Sequence, residues 1–419
     1  MSATKGVPRP LSVAVIGAGI VGMSAALHLQ RDGHAVTVID GRAPGLATSF
    51  GNAGGIVTGA VTPTSTPALW RELPAMLFDR HNAVRMRWSY LPRLAPWLAR
   101  FLLAARRVDA IAAALQPIVT RAYDAHRDLA ALAGVEDLLR PVGWLKLYET
   151  EAGFGGSALE RRLMTEQGVR FEVLGADEIR QLEPNLAPRY VRGLLQPESA
   201  FVRQPHLVVE GYARHFAAAC GRLLRDRVRR IEPLGGEGVR LRTELGIYRF
   251  DGVVVAAGAW SGTLAAQIGD RVSLDTERGY HLNLDPAGAG ELRRPVVFPE
   301  RKFVLAPMQD GIRLTSGVEL AGLDAPPDFG PIHALLPAAR QALPGLGDTV
   351  TREWLGHRPS TPDSLPVIGP SPRASAVIYA FGHGHLGLTL GPITGKLVAD
   401  LVAARTPVVD VAPYRASRF

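Results

Sequence analysis

The stretch "SVAVIGAGIVGMSAALHL", Ser12–Leu29, changes hydrophobic period within a few residues. It passes from the short apolar run of a buried parallel strand to the spacing of a helix. At the change stand Gly17, Gly19 and Gly22, in G-x-G-x-x-G spacing. Gly17 permits a tight turn, Gly19 lets the backbone approach a pyrophosphate, and Gly22 lets helix and strand pack closely. Ile20 and Val21 open the helix, whose N-terminal amides and positive dipole end would face phosphates. A second apolar strand, Ala35–Ile39, ends in Asp40, 18 residues beyond Gly22. A carboxylate there accepts hydrogen bonds from a ribose and repels a 2′-phosphate, which disfavours NADP. The reading is a dinucleotide-binding βαβ unit, with a nucleotide-free unit of the same build as the alternative. Leu11–Gln30 lacks acidic and basic residues other than His28. The fixed glycines and the change of period make it a buried unit rather than a targeting segment or a membrane span.

The choice between NAD and FAD turns on "ATSFGNAGGI", 47–56. A nicotinamide enzyme has no need of a second small-residue loop here, whereas a flavin extends past the first helix. Thr48, Ser49, Asn52, Ala53, Gly54 and Ile56 are the candidates to meet it. "GVVVAAGAWS", 252–261, reads as another apolar strand breaking into a turn, with Ala257, Gly258 and Trp260 where the backbone would pass the cofactor.

A chain of 419 residues is too long for one ordinary core, so two domains are expected. The formal net charge is +8, but no nucleic-acid motif accompanies it. Its densest run, "RLLRDRVRR" from Arg222, alternates like a strand with one wet face. Cys220 is the single cysteine, which leaves no disulfide framework; that fits a reducing, cytoplasmic compartment and equally a secreted protein without disulfides. Residues 64–194 begin with helical stretches, "LWRELPAMLF" among them, and turn to strand-like "GWLKLYET"; 274–346 alternate like antiparallel strands. The expected fold is α/β plus α+β. A discontinuous Rossmann-like domain (1–63, 195–273, 347–419) interleaves with a second domain on a mostly antiparallel sheet (64–194, 274–346). The helix around Arg93–Leu115 carries Trp97, Phe101 and Leu102 beside a basic face. That pattern suits a core helix, and a membrane-surface helix shares it.

Near the end, "YAFGHGHLGLTLGPITGKLVADLV" repeats the grammar of strand, glycine turn and helix. His383 and His385, two residues apart with no carboxylate or cysteine nearby in sequence, make a poor metal site, and no metal is expected.

Six segments stand in one order: "VIGAGIVG" with Asp40, "TSFGNAGGI", "VVVAAGAWS", "ERGYHL", "GHRPSTPDSLPVIG" and "FGHGHLGLTLGP". Through them nearly the whole chain resembles the D-amino-acid oxidase and glycine oxidase superfamily of FAD oxidoreductases. Within it, the chain looks most like the bacterial D-amino-acid dehydrogenases, especially the D-hydroxyproline dehydrogenase-like branch.

The resemblance implies an active site between the domains and non-covalent FAD, since Cys220 lies far from the flavin motifs. It gives Arg358 the substrate carboxylate and Tyr280 a second contact through its hydroxyl. Alternation would put Arg278 on the face of Tyr280 and turn His281 away. It places the backbone of Val228 near the adenine. Gly384, Leu386, Gly387, Leu388 and Thr389 fall at the pyrimidine edge of the flavin, where helix N-terminal amides stabilise the charge of reduction. Thr389 could cap that helix. Of His383 and His385, one is expected beside flavin or substrate, His385 by choice, and the other serves as a spacer or hydrogen-bond donor. The implied reaction moves a hydride from Cα of a D-amino acid to flavin N5 and yields an imine or 2-oxo acid. The branch implies a cyclic imino acid such as D-proline or cis-4-hydroxy-D-proline. No general base is required if the amine binds neutral. Electrons would pass to a quinone or another non-oxygen acceptor, which leaves peripheral membrane contact open. An oxidase using O₂, like glycine or sarcosine oxidases, and a flavoprotein subunit of a multi-chain complex are the alternatives.

Overall fold

The structure, a computed structural model, describes residues 9–68 and 84–419. The expected helix "LWRELPAMLF" lies outside the described residues. One sheet has six strands, in the order Arg222–Arg225, Ala35–Asp40, Ser12–Ile16, Gly252–Val255, Val377–Phe381 and Val367–Pro370. The first five run parallel and the last is an antiparallel edge. The central strands are buried on both faces, as their continuous apolar runs require. Because they run parallel, the loops after residues 16, 40, 225, 255 and 381 all emerge at one edge. In such sheets ligands bind at that edge.

The larger sheet has nine strands. Eight follow the order Val350–Ser360, Asp275–Leu284, Gly311–Leu320, Phe303–Met308, Val296–Phe298, Trp144–Tyr148, Arg192–Gln196 and Glu172–Gly175. Val84–Met86 lies beside Gly311–Leu320. Pairing is antiparallel except where Val296–Phe298 meets Trp144–Tyr148 and where Val84–Met86 joins.

Three expectations need correction. The Val350–Ser360 strand falls in the nucleotide-binding part by the expected boundary at 347. It pairs instead along its whole length with Asp275–Leu284 in the larger sheet. Arg192–Gln196 likewise straddles the boundary at 194/195. "RLLRDRVRR" is two strands in two sheets: the first closes its parallel ladder with the Asp226 amide on the carbonyl of Asp40 at 3.0 Å, and Val228 begins the next. The second, Val228–Pro233, starts a three-stranded antiparallel sheet with Val239–Thr243 and Ile247–Phe250. The helix expected around Arg93–Leu115 is also two, Leu91–Ala104 and Val108–Val119, parted by a turn at Ala105–Arg107. Its apolar stripe faces inward. Trp97 is buried, stacks on Phe101 at 4.9 Å and donates from Nε1 to the carbonyl of Ser360 at 3.0 Å. Cys220 lies just past the Pro205–Ala218 helix and is exposed. Among the described residues no helix is long and apolar enough to cross a membrane.

The final helix, Gly387–Val402, packs on the first, Ile20–Arg31. The contact is backbone to backbone at Gly395 and backbone to the Ile20 side chain at Gly391. A Cβ on Gly395 would lie 2.5 Å from the carbonyl carbon of Ser24, and one on Gly391 2.8 Å from Ile20. Pro392 sits inside this helix and lacks the N–H that would bond the carbonyl of Leu388, four residues back. Buried His126, on the Ala122–Ala133 helix, fills the gap by donating Nε2–H to that carbonyl at 2.7 Å.

Burial holds His126 neutral, its pKa pushed down from 6.5 to about 4. Between those values the unfolded chain takes up a proton that the folded chain refuses. His126 therefore contributes stability that is full above about pH 6.5 and falls as pH drops toward 4. Replacing it with alanine should cost about 1–3 kcal/mol by leaving the Leu388 carbonyl unpaired. It should also flatten the rise of urea stability between pH 4 and 6.5. An unchanged slope would mean that other groups carry the pH dependence.

Candidate active site

A cavity of about 1010 Å³ lies between the loop edge of the six-stranded sheet and a face of the larger sheet. Its first wall is the opening turn. Gly17 has φ +110°, and a Cβ there would sit 2.4 Å from the carbonyl oxygen of Ala256. A Cβ on Gly22 would strike the carbonyl oxygen of Gly17 at 1.9 Å, so Gly22 packs helix on strand and does not border the cavity. Gly19, Ile20 and Val21 do border it. Ser49 accepts from the Ile20 amide at 3.0 Å and joins the small-residue loop to the helix N-terminus. Asp40 is held by two backbone donors, Ala18 and Arg42, each at 2.8 Å. Val228, Ala257, Gly258 and Trp260 continue the wall from Asp40.

The second wall is the 47–56 loop, fixed largely by the larger sheet. Thr48 donates to the carbonyl of His357 at 2.9 Å. Arg313 donates from Nη1 to the carbonyl of Asn52 at 2.7 Å and from Nε to Asn283 at 3.1 Å. His281 donates from Nδ1 to the carbonyl of Gly51 at 3.1 Å and stacks on Trp354 at 5.0 Å. A Cβ on Gly51 would land 2.1 Å from that tryptophan ring, so glycine here admits the sheet, not only a ligand. Burial drops His281 to about 3 and Arg313 to about 10. Asn52 accepts from the Gly54 amide at 2.7 Å within the loop. Asn52, Ala53 and Gly55 border the cavity, while Gly54 packs on Phe201 and Ile56 is fully buried.

The third wall is the Gly384–Leu386 turn with the start of the last helix, and Gly384, Leu386, Gly387, Leu388 and Thr389 all border the cavity. Thr389 does not cap the helix, which begins at Gly387. Its hydroxyl donates to the carbonyl of Gly55 at 3.1 Å and accepts from the Val57 amide at 3.2 Å, tying this wall to the second. The two histidines part company. Both border the cavity, but His383 is buried against Thr394 at 2.9 Å and pushed down to about 3 by burial, whereas the ring of His385 is partly exposed.

The floor is the larger sheet. Arg358 borders the cavity and donates to the carbonyl of Gly317 at 3.1 Å. A Cβ on Gly279 would sit 2.2 Å from its guanidinium carbon, so the arginine lies flat across the "ERGYHL" strand. Among the described residues Arg358 has no ion-pair partner. Burial lowers its pKa, and Glu277, directly across the strand pair, opposes that. Tyr280 follows Gly279 and therefore projects to the other face. Its hydroxyl donates to Glu319 at 2.5 Å and accepts from the Asp328 amide at 3.2 Å. Arg278 reaches the same Glu319 at 3.1 Å. Tyr280 nonetheless borders the cavity along with Arg358, its hydroxyl engaged by Glu319.

Glu277 is the residue that sequence reading missed. It is buried, and its Oε2 is 2.6 Å from Nε2 of His385. Burial raises its pKa, but His385, Arg358 and Ser360 together outweigh that and hold it below the usual carboxylate range. The signal was a glutamate beside arginine in a strand with no wet face. Its partner lies 108 residues away.

The residues fit a flavin dinucleotide. A glycine turn whose Cβ would strike backbone, a carboxylate fixed by two amides and two helix N-termini share one trough lined from Val228 to Leu386. Residues 12–401 match the family described as DAO, FAD dependent oxidoreductase. The chain belongs to that family, and its cofactor is FAD. It is 38% identical to a D-amino-acid oxidase of Bradyrhizobium diazoefficiens, covering 98% of this chain and 100% of the relative. It is 31% identical to a D-amino acid dehydrogenase of Chromohalobacter salexigens, with 98% and 100% covered. Its fold is similar to that of glycine oxidase from Geobacillus kaustophilus, with TM-score 0.75 at 23% identity over 98% of this chain and 99% of that one.

Gly17→Ala would force a methyl group toward the Ala256 carbonyl at a positive φ. The variant should purify with most of its FAD lost, read as flavin absorbance per protein, while far-ultraviolet circular dichroism keeps its native shape. Full FAD content would show that the turn can shift without cost to binding.

Proposed function

We propose that the protein is a D-amino-acid dehydrogenase that binds its substrate through Arg358. The observation that carries this reading is a guanidinium at the cavity floor with no carboxylate of the described chain paired to it. Arginine's planar fork matches both oxygens of a carboxylate. FAD, held without a covalent bond, supplies the two-electron oxidation of the Cα–N bond. Arg358 fixes the carboxylate at one point and the trough fixes the direction of the reacting hydrogen. Only one hand of the substrate then fits its side chain into the remaining space. The D form is supported by the relatives, both named for D-amino acids. The preferred substrate class is a cyclic imino acid such as D-proline or cis-4-hydroxy-D-proline, and electrons go to a quinone or another non-oxygen acceptor. Residues 1–63, 195–273 and 347–419 serve the cofactor, and 64–194 with 274–346 the substrate, apart from the Val350–Ser360 strand described above. The second reading, an oxidase using O₂, is favoured by the name of the 38% relative.

Four measurements test this. Acid or heat should release FAD into the supernatant; a yellow pellet would refute the non-covalent assignment. Anaerobic stopped-flow bleaching should be faster with D-proline and its hydroxylated form than with L-proline or glycine. Stoichiometric hydrogen peroxide at full turnover would move the protein to the oxidases. Arg358→Leu should weaken substrate binding by about 2–5 kcal/mol, as truncating a buried charge pair does, with FAD content unchanged. Retained affinity would sink the role of Arg358.

A further inference from the structure

We propose that Glu277 is a positioning residue that makes His385 the proton acceptor for the substrate's amino group. The inference rests on the reading that an amino acid lies in the cavity with its carboxylate on Arg358. At neutral pH such a substrate carries an ammonium, whose nitrogen has no lone pair to support oxidation of the adjacent carbon. One proton must leave first, and the group that takes it must border the cavity.

His385 borders it and is 40% exposed at the side chain, while Glu277 beneath it is 7% exposed. Glu277 Oε2 lies 2.6 Å from His385 Nε2. An ionised carboxylate only accepts, so Nε2 carries the hydrogen and Nδ1 keeps its lone pair. Among the described residues Nδ1 makes no hydrogen bond. The other groups around the pair come from every element packed on it. Arg358 and Ser360 face Glu277 from the neighbouring strand. Asp275 lies two residues earlier on the same strand, where Tyr90 donates to it at 3.1 Å. His383, behind the turn, is buried and held neutral. Glu277 thus opposes the positive charge of Arg358 and leaves the floor able to accept an ammonium. In the transfer the substrate N–H bond breaks and its electron pair stays on nitrogen. An Nδ1–H bond forms, and the imidazolium is held against Glu277. No electron moves in this step.

The test uses the FAD-loaded enzyme. Anaerobic flavin reduction by D-proline should show a limb that rises with pH at the His385 pKa. Glu277→Gln removes the charge and the tautomer preference. Its limb should move down by about one pH unit, and its limiting rate should fall about 10²-fold, the lower range for a general base. His385→Gln should lose a similar factor and the limb itself. Independently of turnover, NMR of labelled histidine in the holoenzyme should show the His385 titration shifted downward in Glu277→Gln. FAD content should match the wild type, and benzoate, a carboxylate without an amine, should bind no more weakly than to the wild type, because Arg358 loses its opposing charge. An unmoved His385 titration together with an unmoved limb would overturn the proposal. Should Glu277→Gln fail to hold FAD, loss of the limb in His385→Gln decides the matter. Wild-type benzoate affinity in Arg358→Leu would refute the carboxylate reading instead, and the NMR shift would be unaffected by that failure.

Discussion

The contact on which the rest depends is the one between the first and last helices at Gly391 and Gly395. Only glycine lets the two backbones approach this closely, with a Cβ at 395 falling 2.5 Å from Ser24. That closeness sets the two N-termini side by side. The strands that feed them, Ser12–Ile16 and Val377–Phe381, flank Gly252–Val255 in the same parallel sheet. Two strand–turn–helix units therefore open into one trough, and both positive dipole ends face the same ligand. The arrangement has a cost. Pro392 leaves a carbonyl unpaired in the first turns of the last helix, and a histidine from a third helix satisfies it. That bond ties the 122–133 segment to the wall of the cavity, far from it in sequence.

The trough belongs as much to the larger sheet as to the nucleotide sheet. Arg313, His281 and the carbonyl of His357 come from three of its strands and grip residues 48–52. Trp354 fills the space above Gly51. Mutations in that sheet can therefore loosen the cofactor loop without touching a ligand.

What could be read from sequence follows a physical divide. Where a requirement is steric and local, it is written in the residue itself: Gly17, Gly22 and Asp40 each sit where the spacing put them, because a turn, a close packing and a strand end need those residue types. The small-residue loop was also legible, although the reason for Gly51 was not, since its demand comes from a tryptophan 303 residues on. Pairings across the chain leave no local mark. "TREWLGHRPS" looks the same whichever sheet receives it. The partner of Tyr280 was missed because nothing in "ERGYHL" announces Glu319. The break in "RLLRDRVRR" was hidden because its two halves pair with different distant strands, Ala35–Asp40 and Val239–Thr243. Glu277 was missed for the same reason, as its importance arises only when the 384–386 turn folds over it.

The "ERGYHL" strand shows how such long-range demands become strict. Its two faces carry opposite electrostatic duties. Glu277, Gly279 and His281 serve the cavity side, where Gly279 makes room for Arg358. Arg278 and Tyr280 serve the other side, where both converge on Glu319, itself also bound by Arg87 at 3.2 Å. A slip of one residue would exchange the faces. Arg278, which is fully buried, would enter the cavity beside Arg358, and Glu277 would be driven toward Glu319. Each outcome sets like charges together in a region of low dielectric, where the repulsion is largest. Buried ion pairs of this kind add little net stability, since desolvation offsets their attraction. Their effect here is on register: the alternating charges allow one alignment of the strand, and that alignment puts Glu277 directly beneath His385, which borders the same cavity as Arg358.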